Sequence, residues 1–208
     1  MLLALAAGAG CMGAPESPTE DGGTTPGTGD GAGTPVESLP APVQGDPEAD
    51  VTVMAFEDYA CPHCRTYVLD VLPQIESEYV EAGAIRYEHH DFPIPVDGQW
   101  SWAAAGAARA VQDTVDDATF FEYSRLLFEN QQQYSMDLVG RLAEDVGADP
   151  ATVRAAAENG TYRPVLEADR QRGREMNLRG TPQIYVNGSK TDGYDYETVA
   201  AAIDDATS

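Results

Sequence analysis

With 208 residues, the chain has room for one domain and a tail rather than two full domains. Its formal charge of −23, from 12 Lys and Arg against 35 Asp and Glu, excludes the clustered cations that a phosphate-binding surface needs, so nucleic acid is not an expected partner. Eight of the acids and none of the bases fall in the first 50 residues, which leaves −15 on the remainder.

At the N-terminus, Leu2 to Ala9 form an apolar run that is too short to span a bilayer and ends on small residues, as a secretory signal does. It resembles a lipoprotein signal, in which Ala9 and Gly10 precede a lipidated Cys11; Gly8 stands where Leu is usual, and no cation precedes the run. The expectation is an extracytoplasmic, lipid-anchored protein with segment 1–11 as signal and Cys11 as membrane anchor. Residues 12–45 are built from Gly, Thr, Pro, Asp, Glu and Ser with few large apolar side chains. They read as a disordered acidic linker, because so little apolar surface does not offset chain entropy. The abundance of Asp and Glu with Lys190 as the only lysine resembles proteins of extreme halophiles, where salt screens self-repulsion.

The domain is expected over 46–206. Val51 to Phe56 is a short β-rich apolar run and predicts a buried strand. A helix follows: Pro62 suits the first helical position, Val68, Leu69, Leu72, Ile75, Tyr79 and Val80 recur at helical spacing, and Gly83 stops it, with Pro73 predicted to kink it. Ile85 to Phe92 alternates as a second strand, closed by Pro93 and Pro95. Residues 100–177 carry four or five helices, broken near Asp116, Ser135, Pro150 and Thr161. A strand at Gln183–Val186, a turn at Asn187-Gly188, a partner strand at Lys190–Asp192 and a helix from about Tyr196 to Asp205 complete the order. This is a βαβ unit and a ββα unit separated by a helical insertion. In such a sheet, a site is expected at the carboxyl end of the first strand, where Cys61 falls.

Cys61 and Cys64, two residues apart at a helix start, place one sulfur at the exposed end and the other on the first turn behind it. Unpaired N–H groups and the positive dipole end stabilise a Cys61 thiolate, making it a better nucleophile and leaving group. Cys64 is then the partly buried resolving thiol. His63 is expected to add a hydrogen bond or positive charge to the thiolate, and Pro62 to stiffen the turn. Because a stabilised thiolate favours the dithiol, the couple is expected to oxidise.

Gly45-Asp46-Pro47, the strand to Phe56 and Tyr59-Ala60-Cys61-Pro62-His63-Cys64 together resemble the DsbA-like thiol-disulfide oxidoreductases, over about residues 43–206. The resemblance implies an α/β thioredoxin-like fold interrupted by a helical domain. It also implies a cis-proline loop at Thr181-Pro182 lying against the two sulfurs, with Cys61 forming mixed disulfides with thiol-containing exported proteins. A membrane redox partner would reset the dithiol of a monomer that needs no cofactor beyond the Cys61-Cys64 disulfide. Two positions depart from the pattern. Many relatives carry Glu six residues before the first cysteine, where this chain has Ala55, with Glu57 and Asp58 nearby; and Thr181, before the proline, is also familiar in isomerases and reductases.

The alternative to an oxidase is therefore a surface thiol reductase or disulfide isomerase. A metal-binding module is a further alternative, with His89 and His90 beside the cysteine pair as candidate ligands. It is disfavoured because adjacent strand residues point to opposite faces, so no metal site is expected and the two histidines read as one surface and one packing residue. Trp100, Trp102, Tyr59, Phe120 and Phe121 are expected in the core, with a peptide groove as the alternative. Gln131-Gln132-Gln133 reads as a polar helix end or loop.

Overall fold

The computed structural model describes residues 34–94 and 96–208; the apolar N-terminal run, Cys11, most of the expected linker and Pro95 lie outside them. Among the described residues the strands are β1 (Val43–Gly45), β2 (Val51–Glu57), β3 (Ile85–Asp91), β4 (Gln183–Val186) and β5 (Ser189–Lys190), in the order β1-β3-β2-β4-β5. β2 and β3 run parallel, from Val51 opposite Ile85 to Glu57 opposite Asp91, joined by the crossover helix α1, residues 62–80. β4 returns antiparallel on the other side of β2, with Phe56 opposite Gln183. That register brings the segment after β2 and the segment before β4 to the same end of the sheet.

Pro62 occupies the first turn of α1, where no intrahelical N–H is required. Around Pro73, where a kink is expected, π-turns over Tyr67–Val71 and Glu76–Val80 flank the α-helical stretch Leu72–Ile75 that carries the proline. Widening the coil there accommodates the missing donor. Between β3 and β4 stand α2 (Trp100–Thr114), α3 (Asp117–Glu129), α4 (Met136–Asp145), α5 (Pro150–Asn159) and α6 (Arg163–Glu175), and α7 (Tyr196–Thr207) closes the chain. Three of the four predicted breaks coincide with side-chain caps: Asp116 accepts from Thr119 N–H at 2.7 Å, Ser135 from Leu138 N–H at 3.2 Å and Asp149 from Thr152 N–H at 2.7 Å, whereas the helix after Thr161 starts from Tyr162 without a side-chain cap.

Three expectations are corrected. The linker does not extend to residue 45: Val36 N–H donates to Thr161 O at 2.8 Å, Val36 and Leu39 pack against the core, and β1 pairs with β3. Composition understated this stretch because its ordering comes from backbone hydrogen bonds to an open sheet edge. The second hairpin strand is Ser189–Lys190, not 190–192, because Thr191 turns inward and donates to Ile184 O and Gly193 O. His89 and His90 do point to opposite faces, but both are buried, since β3 is covered on each side. His89 meets Phe120 of α3, while His90 stacks on Phe56 and hydrogen-bonds Asp169 of α6.

Arg109 of α2, fully buried, ties these layers together. Its guanidinium donates to Asp91 at 2.7 Å, Asp169 at 2.5 Å, Gln112 at 2.9 Å and Pro40 O at 3.1 Å, joining β3, α6 and the N-terminal segment. Burial pushes the Asp91 carboxyl up, but Arg109 and His89 outweigh it and hold the group below the usual aspartate range. A group depressed in the folded state contributes stability that is complete above its unfolded pKa and fades as pH falls through the lower folded value. Arg109→Leu leaves Asp91 buried without its counter-charge, and urea denaturation at pH 7 is expected to show a loss of about 3–5 kcal/mol. The deficit should narrow in acid; a loss near zero at pH 7 would mean that Arg109 does not compensate the buried Asp91 charge.

Candidate active site

The chain leaves β2 at Glu57 and turns through residues 58–60 into α1. Asp58 braces the turn: its carboxylate accepts from Ala60 N–H and Ile94 N–H, both at 2.7 Å, and its carbonyl from Cys61 N–H at 2.9 Å. Cys61 is the N-cap, in extended conformation with no side-chain cap bond, so its sulfur is free to face the first-turn N–H groups. On the opposite side comes the loop before β4, where the Thr181-Pro182 peptide is cis. Cys61 Sγ lies 3.4 Å from Thr181 O, and Cys64 Sγ accepts from Asp58 N–H at 3.4 Å. Both thiols are unbridged.

The two sulfurs differ sharply in acidity. Cys61 is lowered to about 5, first by the hydrogen bond from the Cys64 thiol, against the cost of burial. The Thr181 side chain and the N–H groups of Cys64 and His63 add to the same direction. The Thr181 hydroxyl is itself buried and makes no hydrogen bond of ordinary length, so it is free to respond to the sulfur. Cys64 is pushed well up by burial, by its bond to Cys61 and by the charges of Glu57 and Cys61. His63 thus reaches the thiolate through its backbone rather than, as expected, through its ring. The imidazole Nδ1 instead hydrogen-bonds the Tyr194 hydroxyl at 2.9 Å.

Beneath the pair lies Glu57, which burial pushes up to about 7 against the pull of His89 and Tyr87. Its Oε1 accepts from the Tyr87 hydroxyl at 3.3 Å, while the buried Oε2 has no hydrogen-bond partner and stands 3.8 Å from His89 Nδ1. Glu57, His89, Ser124, Glu76 and Arg125 line a cavity with room for about one water, and Arg125 and Glu76 are partly exposed. Asp58 is raised to about 6 by burial. Ala55 is buried and apolar. His89 and His90 are engaged by acids on their own sheet faces and do not join the sulfurs as ligands.

Beside the turn into α1, a groove of about 430 Å³ is lined by Ala60, Pro62, Arg65, Trp100, Gln131 and Tyr134, with Val96 among its further lining residues. The Trp100 ring lies 5.2 Å from that of Tyr134 at a tilt; partly buried, it packs against the core and also lines the groove. Trp102 belongs to a separate cavity of about 380 Å³ between α2, α5 and α6, where the Arg163 guanidinium sits 3.4 Å over its ring. Tyr59 and Phe120 are core residues, as expected. Sequence reasoning missed Gln131 and Tyr194. Neither belongs to a motif, and only the fold brings them to residues 59–63.

A thioredoxin-type sheet with a helical insertion, carrying two thiols so divided in acidity, defines a DsbA-like thiol-disulfide oxidoreductase. The family model described as Thioredoxin matches residues 37–205, and the chain belongs to that family. Disulfide bond formation protein D of Bacillus subtilis (strain 168) is 29% identical over 170 residues, covering 78% of this chain and 75% of that protein. The crystal structure of oxidised BdbD from Bacillus subtilis superposes with a TM-score of 0.75 at 27% identity, covering 84% of this chain and 99% of that one. Chlamydia trachomatis DsbA, at 18% identity and TM-score 0.70 over 82% of this chain and 92% of its own, shares the fold.

Because the folded Cys61 pKa is depressed, the thiolate persists as pH falls until about 5. In the reduced protein, thiolate absorbance and alkylation rate are expected to titrate with a midpoint near 5, with Cys64 silent. Thr181→Val should move that midpoint upward. A parent midpoint near the ordinary thiol value, about 8.5, contradicts the assignment of donors to Cys61.

Proposed function

We propose that the protein acts outside the cytoplasm as a dithiol oxidase, accepting electrons from thiol-containing exported proteins through the Cys61-Cys64 disulfide. The observation that carries this reading is the depressed Cys61 thiol beside the raised Cys64 thiol. A thiolate stabilised in the reduced state makes the disulfide a stronger oxidant, by about 30 mV for each 1.4 kcal/mol. A client thiolate attacks Cys61 Sγ, the Cys61–Cys64 bond breaks, and Cys64 leaves as a thiolate. A second client thiolate then attacks the client sulfur of the mixed disulfide and expels Cys61 as a stable thiolate. Two electrons pass from client to protein, and a membrane redox partner that accepts them would restore the disulfide. Relatives named disulfide bond formation proteins support the direction.

Glu57 fits the proton traffic of this cycle. Protonated, it can supply the Cys64 thiolate as that group leaves; ionised, it can take the proton back during reoxidation. Its value of about 7 lets both forms exist at neutral pH, and the one-water cavity leads toward Glu76 and Arg125. Glu57→Gln is expected to slow turnover about a hundredfold and to abolish an inflection near pH 7, while the Cys61 titration remains. A retained inflection would pass the role to Asp58.

The direction of flow is tested by the reduction potential, measured in molar salt and in dilute buffer because an acidic domain loses stability when unscreened. The parent should be clearly more oxidising than about −270 mV, the value typical of thioredoxin, and should oxidise a reduced, unfolded protein stoichiometrically. Cys61→Ser should abolish the transfer. Thr181 before the cis proline supports the reductase or isomerase reading, and a potential near thioredoxin's would establish that reading in place of the oxidase.

A further inference from the structure

In the sequence, Gln131 opens a run of three glutamines that reads as a solvated helix end. In the fold, its Nε2 donates to Tyr59 O and to Cys61 O, both at 2.9 Å. Both acceptors are carbonyl oxygens, so only the amide nitrogen satisfies them, and both of its hydrogens are used. Neighbouring contacts act on the same turn. Tyr134 Oη donates to Tyr59 O at 3.1 Å, Arg65 Nε to Phe128 O at 3.1 Å, and the Tyr59 ring stacks on Phe128 at 4.8 Å. The corner between α3 and α4 therefore holds the 59–61 turn from the helical insertion, while Asp58 holds it from the segment after β3 through Ile94.

We propose that Gln131 is a positioning residue for the dithiol, fixing the Tyr59–Ala60 and Cys61–Pro62 peptides so that the Cys61 sulfur stays aimed at its donors, and linking occupancy of the groove to the reactivity of Cys61. This rests on Cys61 being the nucleophile. Stabilisation of a thiolate by a helix N-terminus is directional and confined to the first turn, so a small rotation of the N-cap residue forfeits it. The carbonyl that Gln131 holds already accepts the first intrahelical bond, from Arg65 N–H at 3.1 Å; restraining that oxygen restrains the start of α1. The positive end of the amide also lies beside the residue that carries the negative charge. Gln131 lines the groove next to Pro62 and Trp100, so a polypeptide lying there touches the same side chain that orients Cys61.

The test uses the full reduced chain with Gln131→Ala, Gln131→Met to preserve volume, and Gln131→Glu, and takes Gln133→Ala, at an exposed neighbour, as control. Two quantities are read: the Cys61 thiolate titration, and the equilibrium with reduced and oxidised glutathione at pH 7. Gln131→Ala and Gln131→Met should each raise the Cys61 midpoint by about one pH unit and shift the glutathione equilibrium about tenfold toward the protein disulfide. Gln131→Glu should do more, because it places a carboxylate by the thiolate, and Gln133→Ala should do neither. A packing role alone would lower the unfolding midpoint while leaving the titration and the glutathione equilibrium of Gln131→Met unchanged, and that result overturns the proposal. An ordinary thiol midpoint in the parent would instead overturn the reading of Cys61 itself.

Discussion

A negative charge on Cys61 at neutral pH is the constraint around which the described fold is arranged. Sulfur is a weak acceptor, so the charge persists only where several donors converge and no competing charge lies close. The donors come from distant parts of the chain: the first turn of α1, the Cys64 thiol and the Thr181 side chain. The acids beneath the site are disarmed in two different ways. Asp91 stays ionised because Arg109 sits against it, whereas Glu57 and Asp58, with no arginine against them, are pushed toward the protonated form by burial, which for Glu57 outweighs the pull of His89. Full ionisation of all three beside a thiolate would be costly at the reduced dielectric of the interior.

Convergence on one sulfur also explains why the helical insertion is more than a lid. The sheet registers bring the β2 and β4 loops together, but a loop of four residues between β2 and α1 has its own freedom. The insertion removes that freedom through Gln131, Tyr134 and the stacking of Phe128 on Tyr59. Arg109 in turn fixes the insertion to β3 and to the segment around Pro40. The N-terminal residues 34–45, which add β1 to the sheet, are thus part of the same network.

Where a signal is local, the sequence was sufficient to read it. The Cys-Pro-His-Cys spacing at a helix start, the capping residues before α3, α4 and α5, and a Thr-Pro opening a strand each act within one turn of chain, and each stands where expected. Where the outcome depends on what covers a segment, local pattern failed. His89 and His90 alternate correctly, but both faces of β3 are covered. Val36, Leu39 and Val43 are too sparse to mark an ordered stretch, and it is Thr161 O, the core surface and the sheet edge that order them. Gln131 has the composition of a loop and the hydrogen bonds of a site residue, a difference visible only when Tyr59 O and Cys61 O stand beside it.

The placement of Glu57 below the sulfurs has a further consequence for the charge of the site over a redox cycle. The Cys61 thiolate is among the groups that push Glu57 up, and disulfide formation removes that negative charge. Glu57 then ionises more readily in the oxidised protein than in the reduced one, by the reciprocity that binds any two interacting titrations. As the sulfur gives up its charge, the carboxylate gains part of it, so the interior of this strongly acidic molecule keeps a more constant charge than two thiols alone would allow. The protein's electron inventory changes by two, while part of the accompanying change in the field around His89 is offset by Glu57.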